Sequence, residues 1–336
     1  MKILVAPLNW GLGHASRCVP LIRQLQEEGH EVILAGDGES LTLLRKHFPT
    51  LRYTYLAPLN LRYSAGKHQV WAMLRALPQL FFWSIKDHAM LKALLREEHI
   101  DQVISDNRFG LYINRKSSIV QSSIETVYMT HQLHIMLPQG WRWAERIASR
   151  VHARIYARYN KVWVPDYAAI EQSLAGELSH AEAFSDQHSA ISYIGPLSRF
   201  KISRPRNLEI SKNYYIVAVL SGLEPQRTLL EQEIIGRFSG SEKRILIVQG
   251  LMHRPNTRIK RGNITIVPSM SDAELVPALL GAKHIIARSG YSTIMDLAAL
   301  GLLDSKIENR KSKIELIPTP GQPEQEYLAT LHNKMK

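Results

Sequence analysis

Only one cysteine, Cys18, occurs in the whole chain, so no internal disulfide can form and no cysteine cluster can hold a metal. Nowhere do about 20 apolar residues run together, the length that a membrane-spanning helix needs. The start, Met1-Lys2-Ile3-Leu4-Val5-Ala6, passes straight into a strand pattern, and its apolar stretch is too short for a secretory signal. A cytoplasmic protein is therefore expected. Acidic residues are the minority, 30 Asp and Glu against 42 Lys and Arg, for a formal net charge of +12. That excess attracts nucleic acid, anionic lipid or phosphorylated small molecules. Zinc-finger spacing, an RNA-recognition motif and interleaved basic-aromatic platforms are all missing, so no nucleic-acid partner is expected.

What is present is a chain of 336 residues with 45% hydrophobic content, enough for real cores and long enough for about two domains at ~100–200 residues each. Short apolar runs alternate with helical periodicity from the first residue onward. Lys2 to Pro7 reads as a strand, Val19, Leu21, Ile22 and Leu25 as one helix face, and Glu31 to Ala35 as the next strand. The alternation predicts a parallel sheet with helices on both faces. Residues 197–213 are polar, basic and without apolar periodicity, and are read as a linker between an N-terminal domain, 1–196, and a C-terminal domain, 214–336. In the second half, Tyr214 to Leu220, Arg244 to Gln249, Ile264 to Val267, Lys283 to Ile286 and Lys313 to Pro318 read as strands.

Three turns carry candidate chemistry. Arg288-Ser289-Gly290-Tyr291-Ser292-Thr293 lies between a strand and the helix pattern closed by Gly301. Free N–H groups and the dipole at a helix N-terminus favour anions, and small residues let a phosphate approach. The same stretch also reads as an ordinary helix cap with Ser289 or Ser292 at the N-cap. Ser221-Gly222, after the first strand of the second half, is a similar turn, with Pro225 suited to the first helical position. Gly11-Leu12-Gly13-His14, near the start, lacks the third glycine of the dinucleotide fingerprint, although Asp37 stands where a ribose-binding acid would. His14 is a candidate general base and Asp106, at the carboxyl end of another strand, is a candidate partner for it. A capping histidine and a turn-capping aspartate are the plain alternatives. His131 and His134 stand after a further strand, and such a pair alone is poor evidence of a metal site.

Two regions raise the question of what faces outward. Residues 67–98 read as mostly helical, interrupted near Pro78, and the apolar cluster of Trp71, Met73, Leu74, Leu77, Leu80, Phe81, Phe82, Trp83 and Ile85 is assigned to the core, with an acceptor or membrane face as the alternative. Arg142, Arg146, Arg150, Arg154 and Arg158 recur at every fourth position, and Trp143, Ile147, Val151, Ile155 and Tyr159 do so one residue on. The two rows make a basic amphipathic helix. The preferred reading puts its apolar row in the core and its arginines in water. The other has residues 142–158 in peripheral contact with an anionic membrane at its inner face.

Taken in order, Gly11-Leu12-Gly13-His14, Ser221-Gly222, Arg288-Ser289-Gly290-x-Ser292-Thr293 and Pro318-Thr319-Pro320-Gly321-Gln322-Pro323-Glu324-Gln325 resemble glycosyltransferases of the GT-B fold, closest to family 28, which includes the N-acetylglucosaminyltransferase of the peptidoglycan lipid intermediate. The resemblance spans nearly the whole chain in motif order. It implies two Rossmann-like domains facing across a cleft and transfer of a sugar, with UDP-sugar the expected donor and a hydroxyl, lipid-linked or on a polysaccharide, the acceptor. By the same resemblance Ser221, Gly222, Ser289, Gly290, Ser292 and Thr293, with Arg288, would hold the diphosphate, and Asp296, usually a glutamate in the family, the ribose. Gln322, Glu324 and Gln325 would meet the donor sugar. Gly11 and Gly13 would form the acceptor-side loop and His14 the base, with Asp106 beside it. Residues 302–312 are longer and more charged than the family's usual connection. No cofactor is expected, and metal-independent catalysis is, since no Asp-x-Asp motif occurs and backbone donors can stabilise a departing diphosphate. A UDP-sugar hydrolase or epimerase on the same fold, and a non-catalytic sugar-nucleotide-binding protein, remain as alternatives.

Overall fold

A computed structural model describes residues 1–59, 69–113, 124–180, 191–201, 213–222, 224–255, 257–303 and 312–333. Most of the expected linker and of the charged 302–312 connection lies outside the described residues. The chain divides into two compact units, the first mainly within 1–197 and the second mainly within 198–336.

The first unit is built on a seven-stranded sheet of β1 (Lys2–Pro7), β2 (Glu31–Gly36), β3 (Tyr53–Tyr55), β4 (Gln102–Asp106), β5 (Glu125–Met129), β6 (Lys161–Val164) and β7 (Ile191–Tyr193), in the order β3-β2-β1-β4-β5-β6-β7. Every pairing in it is parallel. The central strands β1, β4 and β5 are buried along nearly their whole length, which is why they read as apolar runs, while the edge strands β3 and β7 are partly exposed. Helices α1 (Gly13–Glu27), α2 (Gly38–His47), α3 (Gln69–Glu97) and α4 (Glu145–Tyr156) make the crossovers. The order reverses between β1 and β4. Right-handed crossovers therefore put α1 and α2 on one face and α3 and α4 on the other.

Side chains agree with that placement. Trp83 of α3 meets Phe109 edge-on at 6.1 Å between ring centroids, and Phe109 meets His152 of α4 at 6.2 Å. Farther along, His88 of α3 stacks on Tyr112 at 4.5 Å, and Tyr112 meets Tyr159 at 6.2 Å. Gly110 lies so close to α3 that a Cβ there would clash with the Ser84 carbonyl oxygen. Segment 108–112 is thus wedged between the two helices.

Three expectations are corrected here. The helix does not break at Pro78: α3 runs through it, anchored by the inward row Trp83, Asp87 and Leu91 at helical spacing. Of the apolar cluster assigned to the core, Trp83 is buried, but Leu77, Phe81, Phe82 and Ile85 are exposed. In the arginine segment, a 3₁₀ turn at Gln139–Ala144 precedes α4, and Trp143, Ile147 and Val151 face solvent. The buried side of α4 is Ser149, His152, Ala153 and Tyr156. It packs into an aromatic cluster with Tyr128 and Tyr159, where the Tyr128 hydroxyl hydrogen-bonds Asn107 at 2.9 Å and His152 at 3.0 Å. Polar edges that find partners make this face the better one to bury. Burial holds the His152 pKa down at about 4, so the ring is neutral there.

Among the described residues the second unit has six strands, β8 (Ile216–Val219), β9 (Ile245–Val248), β10 (Ile259–Arg261), β11 (Ile264–Val267), β12 (His284–Arg288) and β13 (Lys313–Ile317), in the order β10-β11-β9-β8-β12-β13. Only β10, which the sequence did not announce, pairs antiparallel. Helices α5 (Gln226–Phe238), α6 (Asp272–Gly281), α7 (Tyr291–Ala299) and α8 (Pro323–Asn333) complete it. An isoleucine-rich core, with Ile216, Ile234, Ile247, Ile264 and Ile286, lies under α5. A capping box between Ser271 and Glu274 starts α6. No helix among the described residues is long and apolar enough to cross a membrane.

Candidate active site

In an open parallel sheet, ligands bind outside the carboxyl ends of the strands where the order reverses. In the first unit that point lies between β1 and β4, and both candidate catalytic residues are there. Pro7 pairs with Asp106 in the β1–β4 register, and the Leu8 N–H donates to the Asp106 carbonyl at 2.9 Å. The chain then turns through Gly11, at φ +77, and enters α1 at Gly13, so that His14 stands on the first turn. Its Nδ1 lies 2.9 Å from Asp106 Oδ1. Two groups meet that nitrogen, the Asp106 carboxylate, which only accepts, and Arg17 Nη2 at 3.0 Å, which only donates; in the tautomer with its proton on Nδ1 toward Asp106, the Nε2 lone pair is available.

The structure adds a residue the motif reading passed over. Arg17 is almost wholly buried and reaches the same carboxylate through Nε, 2.6 Å from Asp106 Oδ2, and through Nη2 to Oδ1. Its Nη1 donates to His131 Nδ1 at 3.0 Å. Burial alone would push the Asp106 pKa up, but the charges and hydrogen bonds of Arg17 and His14 outweigh it and hold the carboxyl well below the usual range. Asp106 is thus a fixed anion shared by a histidine and an arginine. The clue was present in the spacing, since residues 14 and 17 of one helix share a face. His134 pairs instead with Glu145 at 3.6 Å, so the two histidines after β5 serve different partners. Among the described residues no group of three His, Cys, Asp or Glu side chains is placed to hold a metal.

Asp37 has a structural task, not the ribose contact raised from the sequence. It accepts from Arg108 Nη1 at 2.8 Å and from Asn9 Nδ2 at 2.9 Å. Arg108, 0% exposed, also donates from Nε and Nη2 to Asp87 and from Nη2 to the Ala57 carbonyl, each at 2.8 Å.

In the second unit the order reverses between β8 and β12. The turns after those strands are Ser221-Gly222 and Ser289-Gly290. Gly222 has φ +97, a conformation that favours glycine. Gly290 is the N-cap of α7, with no side-chain cap bond, so neither Ser289 nor Ser292 fills the capping role. The N–H groups of a helix's first turn are not used by the helix's own ladder, and here that turn starts at Tyr291. Arg288 is the last residue of β12. Its Nη1 donates to the Pro318 carbonyl at 2.9 Å and its Nη2 to the Gln226 carbonyl at 2.7 Å. The Ser289 hydroxyl donates to the Gln325 carbonyl at 2.7 Å, and Gln325 Oε1 accepts from the Thr319 N–H at 2.9 Å. Gln325 Nε2 in turn bonds Gln322 Oε1 at 2.5 Å, while Glu324 is half-buried in the first turn of α8. Three loops read separately from the sequence are therefore tied together by Arg288 and Ser289.

Asp296 lies one turn into α7 and faces the start of the unit, not the turn. Its Oδ1 accepts from the Ser198 hydroxyl at 2.6 Å, and Arg199 bridges it at 3.9 Å to Asp272 at 3.3 Å. Thr293, Asp296 and Arg199 line a small cavity of about 40 Å³. Burial raises the Asp296 pKa to about 6, against the opposing pull of Arg199 and Ser198. The native state then binds this proton more tightly than the unfolded chain, whose aspartates titrate near ~3.9. The resulting stability is full below that value and is lost as the pH rises through about 6. Asp296→Asn, which keeps an acceptor for Ser198, is expected to gain about 1–2 kcal/mol over the native protein at pH 8 and little at pH 4. Urea denaturation at the two pH values checks this; an equal change at both contradicts it.

No family model matches the chain. Among curated proteins it is 23% identical over 316 residues to an uncharacterized glycosyltransferase of Methanosarcina acetivorans, covering 90% of this chain and 78% of that one. A second uncharacterized glycosyltransferase, from Methanosarcina mazei, is 21% identical over 345 residues, covering 98% and 83%. Among solved structures, the glycotransferase of kitacinnamycin superposes with a TM-score of 0.57 at 14% identity, covering 98% of this chain and 83% of that one. The spinosyn rhamnosyltransferase SpnG, complexed with thymidine diphosphate, gives 0.51 at 14% identity over 100% and 90%. An Arabidopsis thaliana protein complexed with UDP-L-rhamnose gives 0.52 at 16% over 98% and 89%. At these identities the likeness is one of fold: two parallel-sheet units of the GT-B glycosyltransferase type.

Proposed function

We propose that the chain is a glycosyltransferase that moves a sugar from a nucleoside diphosphate sugar, UDP-linked, onto a hydroxyl acceptor. The observation that carries this reading is the His14–Asp106 pair at the strand-order reversal of the first sheet. His14 Nε2 takes the proton of the acceptor hydroxyl while its oxygen bonds to the anomeric carbon. The bond from that carbon to the diphosphate oxygen breaks, and the nucleotide leaves with the electron pair. In the second unit, the backbone of Ser221-Gly222 and the N-terminal turn of α7 from Gly290 to Thr293 hold the diphosphate. Arg288 and Ser289 brace these loops through the carbonyls of Gln226, Pro318 and Gln325. Gln322, Glu324 and Gln325 stand beside them for the sugar, and Asp296 for the ribose once Ser198 yields. The nucleotides bound by the thymidine diphosphate and UDP-L-rhamnose structures support this donor class. The finer family 28 placement rests on the motif order.

A thermal-shift screen with UDP, GDP and TDP tests the reading. Near a hundredfold excess over Kd, UDP is expected to add ~2.7 kcal/mol of stability. Gly222→Val, which strains the positive-φ turn, is expected to remove that gain. Because backbone donors carry the charge, the UDP shift should survive a chelator. No shift with any nucleotide would refute the donor site.

A further inference from the structure

We propose that Asn107, clamped by the hydroxyl of Tyr128, is a positioning residue that reserves the Asp106 carboxylate for His14. The proposal rests on the sugar-transfer reading for its effect on rate, and on geometry alone for its effect on the His14 ring.

Among the described residues, Asn107 is the only non-glycine with a positive φ, at 58°. Side chains rarely tolerate that left-handed conformation, and asparagine is among the few that do. Its place is between two buried ionic clusters. Asp106, one residue before, serves His14 and Arg17. Arg108, one residue after, serves Asp37 and Asp87. Had β4 run on extended, residues 106 and 108 would point to the same side of the sheet. Arg108 would then stand beside the Asp106 carboxylate as a second guanidinium. A carboxylate shared by two arginines has less left for a histidine. The left-handed turn sends Arg108 to its own two aspartates instead.

Side chains from distant elements hold that turn. The Tyr128 hydroxyl, on β5, donates to Asn107 Oδ1 at 2.9 Å, and burial pushes its pKa well up, so the phenol keeps its proton. His152 Nε2, on α4, lies 3.0 Å from the same hydroxyl; the neutral ring, with its proton on Nε2, donates to the phenol oxygen. On the far side of the turn, Ser105 Oγ and the Tyr159 hydroxyl both donate to the Arg108 carbonyl at 2.6 Å. The Asn107 N–H itself reaches the Met129 carbonyl of β5 at 3.2 Å. The bend is therefore fixed on both sides of Asn107, and the Tyr128 hydroxyl is the clamp on its side chain.

Asn107→Ala, Asn107→Gly and Tyr128→Phe test this in the full chain. Alanine loses the bond and resists the left-handed turn, whereas glycine loses the bond and accepts the turn. Nitrogen chemical shifts of the His14 ring, identified by their loss in His14→Ala, report which nitrogen carries the proton. The native protein is expected to show the Nδ1–H form, Asn107→Ala and Tyr128→Phe a growth of the Nε2–H form, and Asn107→Gly a return toward native. With a UDP-sugar and acceptor, kcat is expected to fall about 10–100-fold in Asn107→Ala at an unchanged KM for the UDP-sugar, and glycine to recover most of that loss. Tyr128→Phe is expected to lower kcat by itself and to add little to Asn107→Gly, because the hydroxyl acts through the turn. Variants that melt at lower temperature but keep native His14 shifts and native kcat would overturn the proposal and leave the turn a matter of stability. So would Asn107→Gly faring no better than Asn107→Ala. If Asn107→Ala does not fold, the His14 shifts in Tyr128→Phe decide. Absence of transfer with any UDP-sugar would count against the sugar-transfer reading, and the His14 shifts would still decide the role of Asn107.

Discussion

Replacing His14 with alanine is expected to lower the rate of sugar transfer by roughly 10²–10⁴-fold, the range a positioned general base supplies. In the proposed mechanism the ring is set by its partner: with Asp106 fixed as an anion, the tautomer that donates from Nδ1 to it keeps the Nε2 lone pair for the acceptor proton. Alanine removes the base and leaves the Arg17–Asp106 pair in place, so the fold of the first unit is expected to hold. The loops proposed to bind the nucleotide lie in the second unit, and the UDP thermal shift should therefore be unchanged. Initial rates with a UDP-sugar and acceptor, measured beside that shift, separate the outcomes. Loss of both would mean a folding defect. A variant of full activity would remove His14 from the mechanism and leave the dyad a structural feature of the β1–β4 junction.

The second large effect is on stability. Arg108→Leu is expected to cost about 3–5 kcal/mol, the penalty for breaking a buried ion pair from one side. Against a total stability of about 5–15 kcal/mol for a domain, that is enough to populate the unfolded state. Arg108 has no exposed surface and serves Asp37, Asp87 and the Ala57 carbonyl, with its guanidinium 5.0 Å from the Trp83 ring centroid. Burial already raises the Asp87 pKa, with Arg108 opposing it. Without the arginine that carboxyl is held protonated in the native state more strongly than in the unfolded one. The deficit should then shrink as the pH falls toward the unfolded value. Adding Asp87→Leu should recover part of the loss, because an apolar pair of similar volume leaves fewer charges stranded. Urea denaturation of the three proteins across pH measures this. A cost under about 1 kcal/mol would show that water or rearranged neighbours satisfy the two aspartates.

The same two clusters show where sequence reasoning worked and where it stopped. The α/β alternation was legible because strands buried on both faces read as apolar runs, and helices read by their period. The turns at Gly11, Ser221-Gly222 and Ser289-Gly290 were legible too, since small residues between a strand and a helix have few other uses. The structural partners of Arg17, Arg108 and Arg288 were not. Each arginine is a charged residue that burial turns into a fastener, and its partners come from distant strands and loops. Asp296 belongs with them, because its bond to Ser198 spans nearly a hundred residues.

By itself, then, the sequence determined the succession of strands and helices and the small-residue turns at the strand ends, through local periodicity and backbone freedom. Tertiary structure decided which of those turns came together, by reversing the strand order at β1–β4 and at β8–β12. It also decided which side of each amphipathic helix went inside. Two adjacent rows, one arginine and one apolar, left the inward face of α4 undetermined. The packed aromatic cluster around Tyr128 settled it, because His152 and Tyr156 packed against the Tyr128 ring while Trp143, Ile147 and Val151 stayed in water.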